Sequence, residues 1–299
     1  MLCFLIFSVI RGDPAGFLGG TNITSEQLTQ MREDMGLNRN IFTRYFEWLI
    51  NFLSGNPGIS YSFRTESISA LISSRLPVTV SLAALSLLLT IIISFSVSLF
   101  TVKREGNTAD NTVNFLTAAG ISAPGFFLGL LFIFIFGFTF NLFIPGNFID
   151  FSENFFGFIG CLFFPALAIA IPNSAVLIKF LRSSIFQELK SDYVRTAKSK
   201  GASSIYILRR HALKNACLPS VTVLGMIIAE VFSGSVIIEQ VFTIPGTGRL
   251  LISAISSRDY PLIQALMVYI AFIVVAANTL ADIFITILDP RINQSGKIR

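Results

Sequence analysis

The sequence predicts an all-α polytopic membrane protein, and three observations carry that reading. Charged residues are 13% of 299, about half the roughly 25% share of a typical soluble domain. Mean hydropathy is +0.72, and the apolar residues collect into long charge-free runs, which a soluble core does not require. Nine of the 22 Lys and Arg lie in one internal loop, an asymmetry of the kind that sets orientation in membrane proteins.

The runs locate the spans. Val78 to Val102 is 25 residues without a charge. At ~1.5 Å per residue it reaches ~37 Å, longer than the ~30 Å hydrocarbon core. The stretch 111–148 is also uncharged and is expected to hold one span near Phe115–Phe140. Phe155–Ile178 gives another; Leu218–Ile238 is interrupted only by Glu230, and Leu262–Leu288 only by Asp282. Five spans are expected from these runs. Met1 to Ile10 is apolar before Arg11, but ten residues cover only ~15 Å. It lacks the basic n-region of a signal peptide. A partial first helix over 1–11 is therefore expected, apparently truncated, which makes about six.

The loop Lys179–Lys214 holds nine Lys/Arg, whereas Asn141–Asn154 holds none. The positive-inside rule places the first loop and the C-terminus, with its tail 291–299, in the cytoplasm. Residues 12–76 then form an extracytoplasmic helical loop, and 77–290 a transmembrane core. In the outer loop Thr24 is expected to cap a helix, with Gln27 at the capping-box position. A second helix is expected over Ile41–Leu53, with Phe42, Tyr45, Phe46, Leu49 and Leu53 on one face. This loop reads either as a spacer or as a docking surface.

The basic loop itself reads as two short helices. Ile185, Phe186, Leu189, Tyr193, Val194 and Ala197 form one apolar stripe at helical spacing. Gly201 follows as a C-terminal capping glycine. Ser203 or Ser204 caps a second helix carrying Ile205, Leu208 and Ala212, and Pro219 is expected in the first turn of the next span. A basic amphipathic hairpin of this kind fits an anionic lipid surface or a cytosolic protein equally well.

Several strings resemble the permease subunits of the dipeptide, oligopeptide and nickel ABC importer family. They are "RGDPA", "MREDMGLNRN", "SRLPVTVSLA", "DYVRTAKSKG", "RHALKNACLP", "VFTIPGTGRLL", "RDYP" and "DPRI", in that family's order, from Arg11 to Ile292. The resemblance implies a type I importer fold in the bacterial cytoplasmic membrane, with substrate passed in by an extracytoplasmic binding protein. It implies a second, similar permease beside this one, and separate ABC ATPase subunits resting on the hairpin 182–216. The residues it assigns to that coupling loop are Asp192, Tyr193, Arg195, Thr196, Ala197, Lys200, Gly201, His211 and Pro219. Arg195-Thr196-Ala197 stands where the family's loop signature usually carries a glutamate, and Glu230 stands where an uncharged residue is usual. Di- or oligopeptides are the expected cargo, with nickel or another small solute as the alternative. The resemblance implies that the residues that discriminate between cargoes lie on the binding protein.

No G-x-x-x-x-G-K-[ST] string is present, so if transport is ATP-driven, the energy has to arrive from another chain. His211 is the only histidine, too few for a metal site, and the three cysteines are scattered without a C-x-x-C pair. No catalytic residue, cofactor, metal or nucleic-acid partner is expected, and no G-x-S-x-G elbow suggests an intramembrane enzyme. An ion-coupled secondary transporter is the rival class, with Glu230 and Asp282 as its coupling groups. An acid inside a span costs ~2.5–3.5 kcal/mol on insertion scales, so both are candidate path residues. Asn278 shares a helix face with Asp282 four residues on, a pair suited to bundle packing or to transport. Glu230 reads as path-lining, as a contact with the partner permease, or as a headgroup-level residue.

Overall fold

The computed structural model describes residues 39–63, 66–102, 104 and 106–288, together with 24, 26, 29 and 30. Among these residues the structure is helix and connecting loop, with one isolated bridge between Ile59 and Ser67. Residues 1–11, Gln27 and the "DPRI" string lie outside the described residues, and so do the expectations placed on them. The chain divides into two compact units, Met1–Thr79 with Pro245–Ile273, and Val80–Ile244 with Val274–Arg299.

In the first unit, α1 spans Ile41–Leu53, the expected bounds, and the Asn40 side chain accepts from the Phe42 N–H. The expected apolar face is only half used. Phe42, Phe46 and Leu53 stay exposed, because the neighbouring stripe does the packing. Trp48 and Phe52 stack at 5.4 Å, and Phe52 meets Tyr269 at 5.2 Å. Behind them Ile68, Leu71, Ile72, Leu250, Ala254, Leu262 and Leu266 form the core of this unit. These residues come from the start of α2 (Ile68–Val102), from α9 (Thr247–Ser256) and from α10 (Tyr260–Leu288). The Thr247 N–H donates to Thr79 Oγ1 at 2.8 Å, which seats the first turn of α9 on α2.

Asp259 fastens the loops of this unit. Its carboxylate accepts from the Ser60 hydroxyl at 2.5 Å, the Ser62 hydroxyl at 2.6 Å and the Ser62 N–H at 3.0 Å. It also receives the Leu262 N–H at 3.3 Å, so it caps α10. Both Asp259 and Ser60 are buried. A buried carboxylate is stable only when its lone pairs are filled this way.

The second unit is built on long helices. α2 begins ten residues before the expected Val78 and carries Pro77 inside it. At ~1.5 Å per residue its 35 residues cover ~52 Å, so its ends project past a ~30 Å hydrocarbon layer. Ser86, Thr90, Ser94 and Ser98 recur every fourth residue and are all fully buried. Their small size lets helices approach closely, and three of the hydroxyls are absorbed by the preceding turn: Ser86 donates to the Leu82 carbonyl at 2.7 Å, Thr90 to the Ser86 carbonyl at 2.8 Å and Ser94 to the Thr90 carbonyl at 2.6 Å. Ser94 also reaches the Ser174 carbonyl, on α5 (Phe155–Leu189), at 3.2 Å.

The expected single span near Phe115–Phe140 is not one helix. α3 spans Thr108–Ser122; α4 starts at Gly125 and continues through a π-helical stretch, Ile133–Thr139. The two segments meet at 102°. Pro124 explains the break, since it disfavours helical geometry at the residue before it; Ala123 is extended, at φ −83 and ψ 119. Glycines fit these segments to their neighbours. A Cβ on Gly120 would lie 3.0 Å from the Ala175 Cβ, and one on Gly129 would lie 3.0 Å from the Phe242 ring. Among the described residues four helices are long and apolar enough to cross a membrane, or five if the bent pair counts as one span.

Candidate functional site

The expected stripe from Ile185 to Ala197 does not run along one helix. α5 ends at Leu189, and α6 spans Asp192–Ser199. Ser191 makes the break: its hydroxyl turns back to the Glu188 carbonyl at 2.6 Å and its backbone is extended. Ile185 and Val194 are still buried, and Ala197 is half-buried. Tyr193 is exposed, with its hydroxyl on the Glu188 carboxylate at 2.6 Å. The Asn215 amide donates to that carboxylate at 3.4 Å and to the Tyr193 hydroxyl at 3.3 Å. Partial burial, then the bond to Glu188, hold the Tyr193 phenol above its ordinary pKa. This Glu188–Tyr193–Asn215 cluster pins the hairpin across its base. Sequence reading passed over Glu188 and Asn215 because they lie off the apolar stripe.

Gly201 caps α6 as expected. Its φ is +80, its N–H bonds the Lys198 carbonyl at 2.9 Å, and the Ala202 N–H bonds the Ala197 carbonyl at 3.1 Å. These two bonds make the Schellman pattern, which favours glycine at the left-handed position. Ser203 then starts the second arm, accepting the Tyr206 N–H at 3.3 Å on its hydroxyl oxygen.

The second arm is not a separate helix. α7 (Ser204–Ile207) passes through a π-helical turn, Leu208–Ala212, directly into α8 (Leu213–Phe242). Ala212 keeps helical angles and no side chain caps α8, so nothing stops the first helix before the second begins. Pro219, expected in the first turn of a span, is therefore an interior residue of α8. The His211 side chain lies outside the described residues. Leu181, Ile185, Leu208, Ala212 and Ala216 form the floor under the hairpin, against Phe95, Leu99 and Val102 of α2. The opposite surface is open: Asp192, Arg195, Thr196, Lys198, Lys200 and Gly201 are exposed, as are Ile205, Tyr206, Arg209 and Arg210. The Asp192–Arg195 pair, at 3.6 Å and almost fully exposed, contributes little by itself. The arrangement is a compact knob, basic and part-aromatic on its outer side, clamped to the ends of three long helices.

The structure does not gather the candidate path residues by bonding. Glu230 on α8 and Asp282 on α10 are exposed and Asn278 is half-buried. Among the described residues no side-chain hydrogen bond or ion pair joins them. Glu239, one residue past the expected end of the span, lies inside α8 and is fully buried. The helix runs four residues past the expected end at Ile238, and Thr243, at φ +61, ends it.

Residues 94–294 match the family described as the binding-protein-dependent transport system inner membrane component, and residues 1–83 match its N-terminal region. The chain belongs to this family. The first match runs from within α2 through α10 and includes the whole hairpin, so a helical, multi-pass inner-membrane permease subunit is the architecture these helices build. The chain is 35% identical over 292 residues to the putative peptide transport system permease protein of Brucella abortus, covering 98% of this chain and 93% of that one. It is also 35% identical over 294 residues to the oligopeptide transport system permease protein AppB of Bacillus subtilis, again at 98% and 93%. The probable peptide ABC transporter permease protein of Sinorhizobium fredii is 34% identical over 289 residues.

Proposed function

We propose that this permease is one of two similar membrane subunits of an ATP-driven importer of di- or oligopeptides. An extracytoplasmic binding protein delivers the peptide, and ABC ATPase subunits drive the pore through the hairpin. The observation that carries the reading is the Schellman-capped knob, which is rooted in α2, α5 and α8 and leaves one basic, part-aromatic surface uncovered. The names of the relatives, each a peptide or oligopeptide permease, support the cargo. The exposed Glu230 carboxylate is suited to the path of a substrate that carries a free amine.

The test is purification of the chain from its native membranes in mild detergent, followed by reconstitution. An ATPase subunit and a second permease should accompany it, and the proteoliposomes should take up labelled oligopeptide only with ATP and the binding protein. Glu230→Gln should reduce uptake of peptides with a free amine while the complex stays intact. Ion-gradient-driven uptake by the chain alone would overturn the reading; nickel uptake without peptide uptake would replace the cargo.

Orientation follows from nine Lys/Arg in Lys179–Lys214 against none in Asn141–Asn154. An impermeant maleimide on intact cells should label a cysteine placed at Asn147 and spare one at Ala202, in a Cys-free background. The reverse pattern would invert the topology.

A further inference from the structure

A cavity of about 290 Å³ opens between α3 and α5, lined by Asn114, Thr117, Ala118, Ile121, Ile178, Lys179, Arg182 and Phe186. We infer that it holds the headgroup and first acyl carbons of an anionic phospholipid.

Three features carry the inference. The lining is divided along the helix axes, apart from Phe186, whose ring centre lies 5.8 Å from the Arg182 guanidinium. Ala118, Ile121 and Ile178 are apolar, and the cations Lys179 and Arg182 follow within one turn of α5. The cavity therefore has the polarity of an amphiphile. Its depth fits as well: Lys179 is the first charge after 24 uncharged residues of α5, from Phe155 to Ile178. At ~1.5 Å per residue those residues cover ~36 Å, slightly more than the ~30 Å hydrocarbon layer, so the two cations stand at headgroup level whichever way the chain is oriented. The charge balance completes the fit. Arg182 is buried, pairs with the buried Asp110 and donates to the Asn114 amide oxygen at 2.6 Å. Its Nε–H finds no acceptor among the described residues. Asp110 cancels the Arg182 charge, whereas Lys179 is exposed and makes no ion pair among the described residues. One net positive charge remains at the cavity wall, which matches a single phosphodiester.

Arg182 and Asp110 hold α3 against α5, where Gly120 meets Ala175, so the cavity wall is fixed before a lipid arrives. Lys179 then supplies the selective contact. A cation near the membrane surface contributes about 1 kcal/mol toward an anionic lipid, or about fivefold in affinity.

The full-length protein in mild detergent is titrated with phosphatidylglycerol, with phosphatidylcholine of the same acyl chains, and with inorganic phosphate, and retained lipid is counted by native mass spectrometry. Phosphatidylglycerol should be held about fivefold more tightly than phosphatidylcholine. Lys179→Gln should remove that preference, and Ala118→Trp, which fills the apolar end, should lower retention of both lipids. Equal retention of the two lipids by the wild type, or an unchanged preference in Lys179→Gln, would overturn the proposal. Displacement of the lipid by inorganic phosphate would also overturn it, by making the cavity a site for free anions.

Discussion

Asp259→Ala should destabilise the unit built from Met1–Thr79 and Pro245–Ile273 by about 3 kcal/mol, from one stranded buried hydroxyl and one lost helix cap. The Asp259 carboxylate takes the hydroxyls of Ser60 and Ser62, the Ser62 N–H and the Leu262 N–H. Ser60 is fully buried, so without Asp259 its hydroxyl has no route to water. The loop from Gly55 to Ser67 would lose its tie to the start of α10, and with it the alignment of Phe52 on Tyr269. Asp259→Asn keeps one acceptor oxygen and should lose about half as much. Tyr61 offers an internal control. Burial, and then the Asp259 charge, raise its phenol above the ordinary 10.0. Because the folded pKa is the higher one, its contribution to stability is complete below pH 10 and fades only as pH rises through the folded value. A comparison at pH 7 therefore reports the loss of the Asp259 hydrogen bonds and not a titration of Tyr61. Thermal unfolding of the detergent-purified proteins checks this, and an unchanged midpoint in Asp259→Ala would mean that the serines find other acceptors.

Much of this fold is legible in the sequence because a bilayer punishes charge within it. The runs ending at Val102, Ile178 and Ile238 all stand out from their neighbours by composition alone. Their ends do not, because hydrophobicity marks where a helix must be apolar and says nothing of where it stops. α2 continues to Ile68 through Pro77, and α5 continues past Ile178 through Lys179 and Arg182. The break at Ala123–Pro124 was readable, since proline restricts the residue before it, but the uncharged run around it drew the reading toward one span. The serine and threonine ladder of α2 also left a signal, a four-residue spacing in an apolar helix. The Asp259 and Arg182 clusters left none, because each joins residues far apart in sequence: Ser60 with Asp259, and Asp110 with Arg182. In the hairpin, Gly201 and Ser203 were found from local rules because caps are local. The continuity of α7 with α8 was not, because it depends on the absence of a stop at Ala212.

Gly201→Val and Ala197→Asp should each abolish uptake and uncouple ATP hydrolysis from the binding protein, while the chain still inserts and still pairs with its partner permease. This rests on the proposed role of the hairpin, and the two substitutions reach it by different routes. At Gly201 there is space: among the described residues no heavy atom lies within 4 Å of where a Cβ would stand. The cost is therefore conformational, since φ is +80 and a residue with a Cβ pays roughly 1–2 kcal/mol in the left-handed region. A β-branched residue relieves that cost by leaving the region, which breaks the bonds from Gly201 to Lys198 and from Ala202 to Ala197 and swings the second arm out of line. At Ala197 the backbone is ordinary helix, but the side chain is half-buried on the inner side of α6, so a carboxylate there lifts α6 from its support. Gly201→Asn separates shape from surface, because asparagine tolerates the left-handed position; it should keep most of the coupling although it changes the exposed side chain. The readout is ATPase activity of the reconstituted complex with and without the loaded binding protein. Loss of stimulation in Gly201→Val and Ala197→Asp, with retention in Gly201→Asn, assigns coupling to the geometry of the knob. Full stimulation in all three would leave the hairpin as a surface element on the lipid headgroups, and coupling would have to pass through another part of the chain.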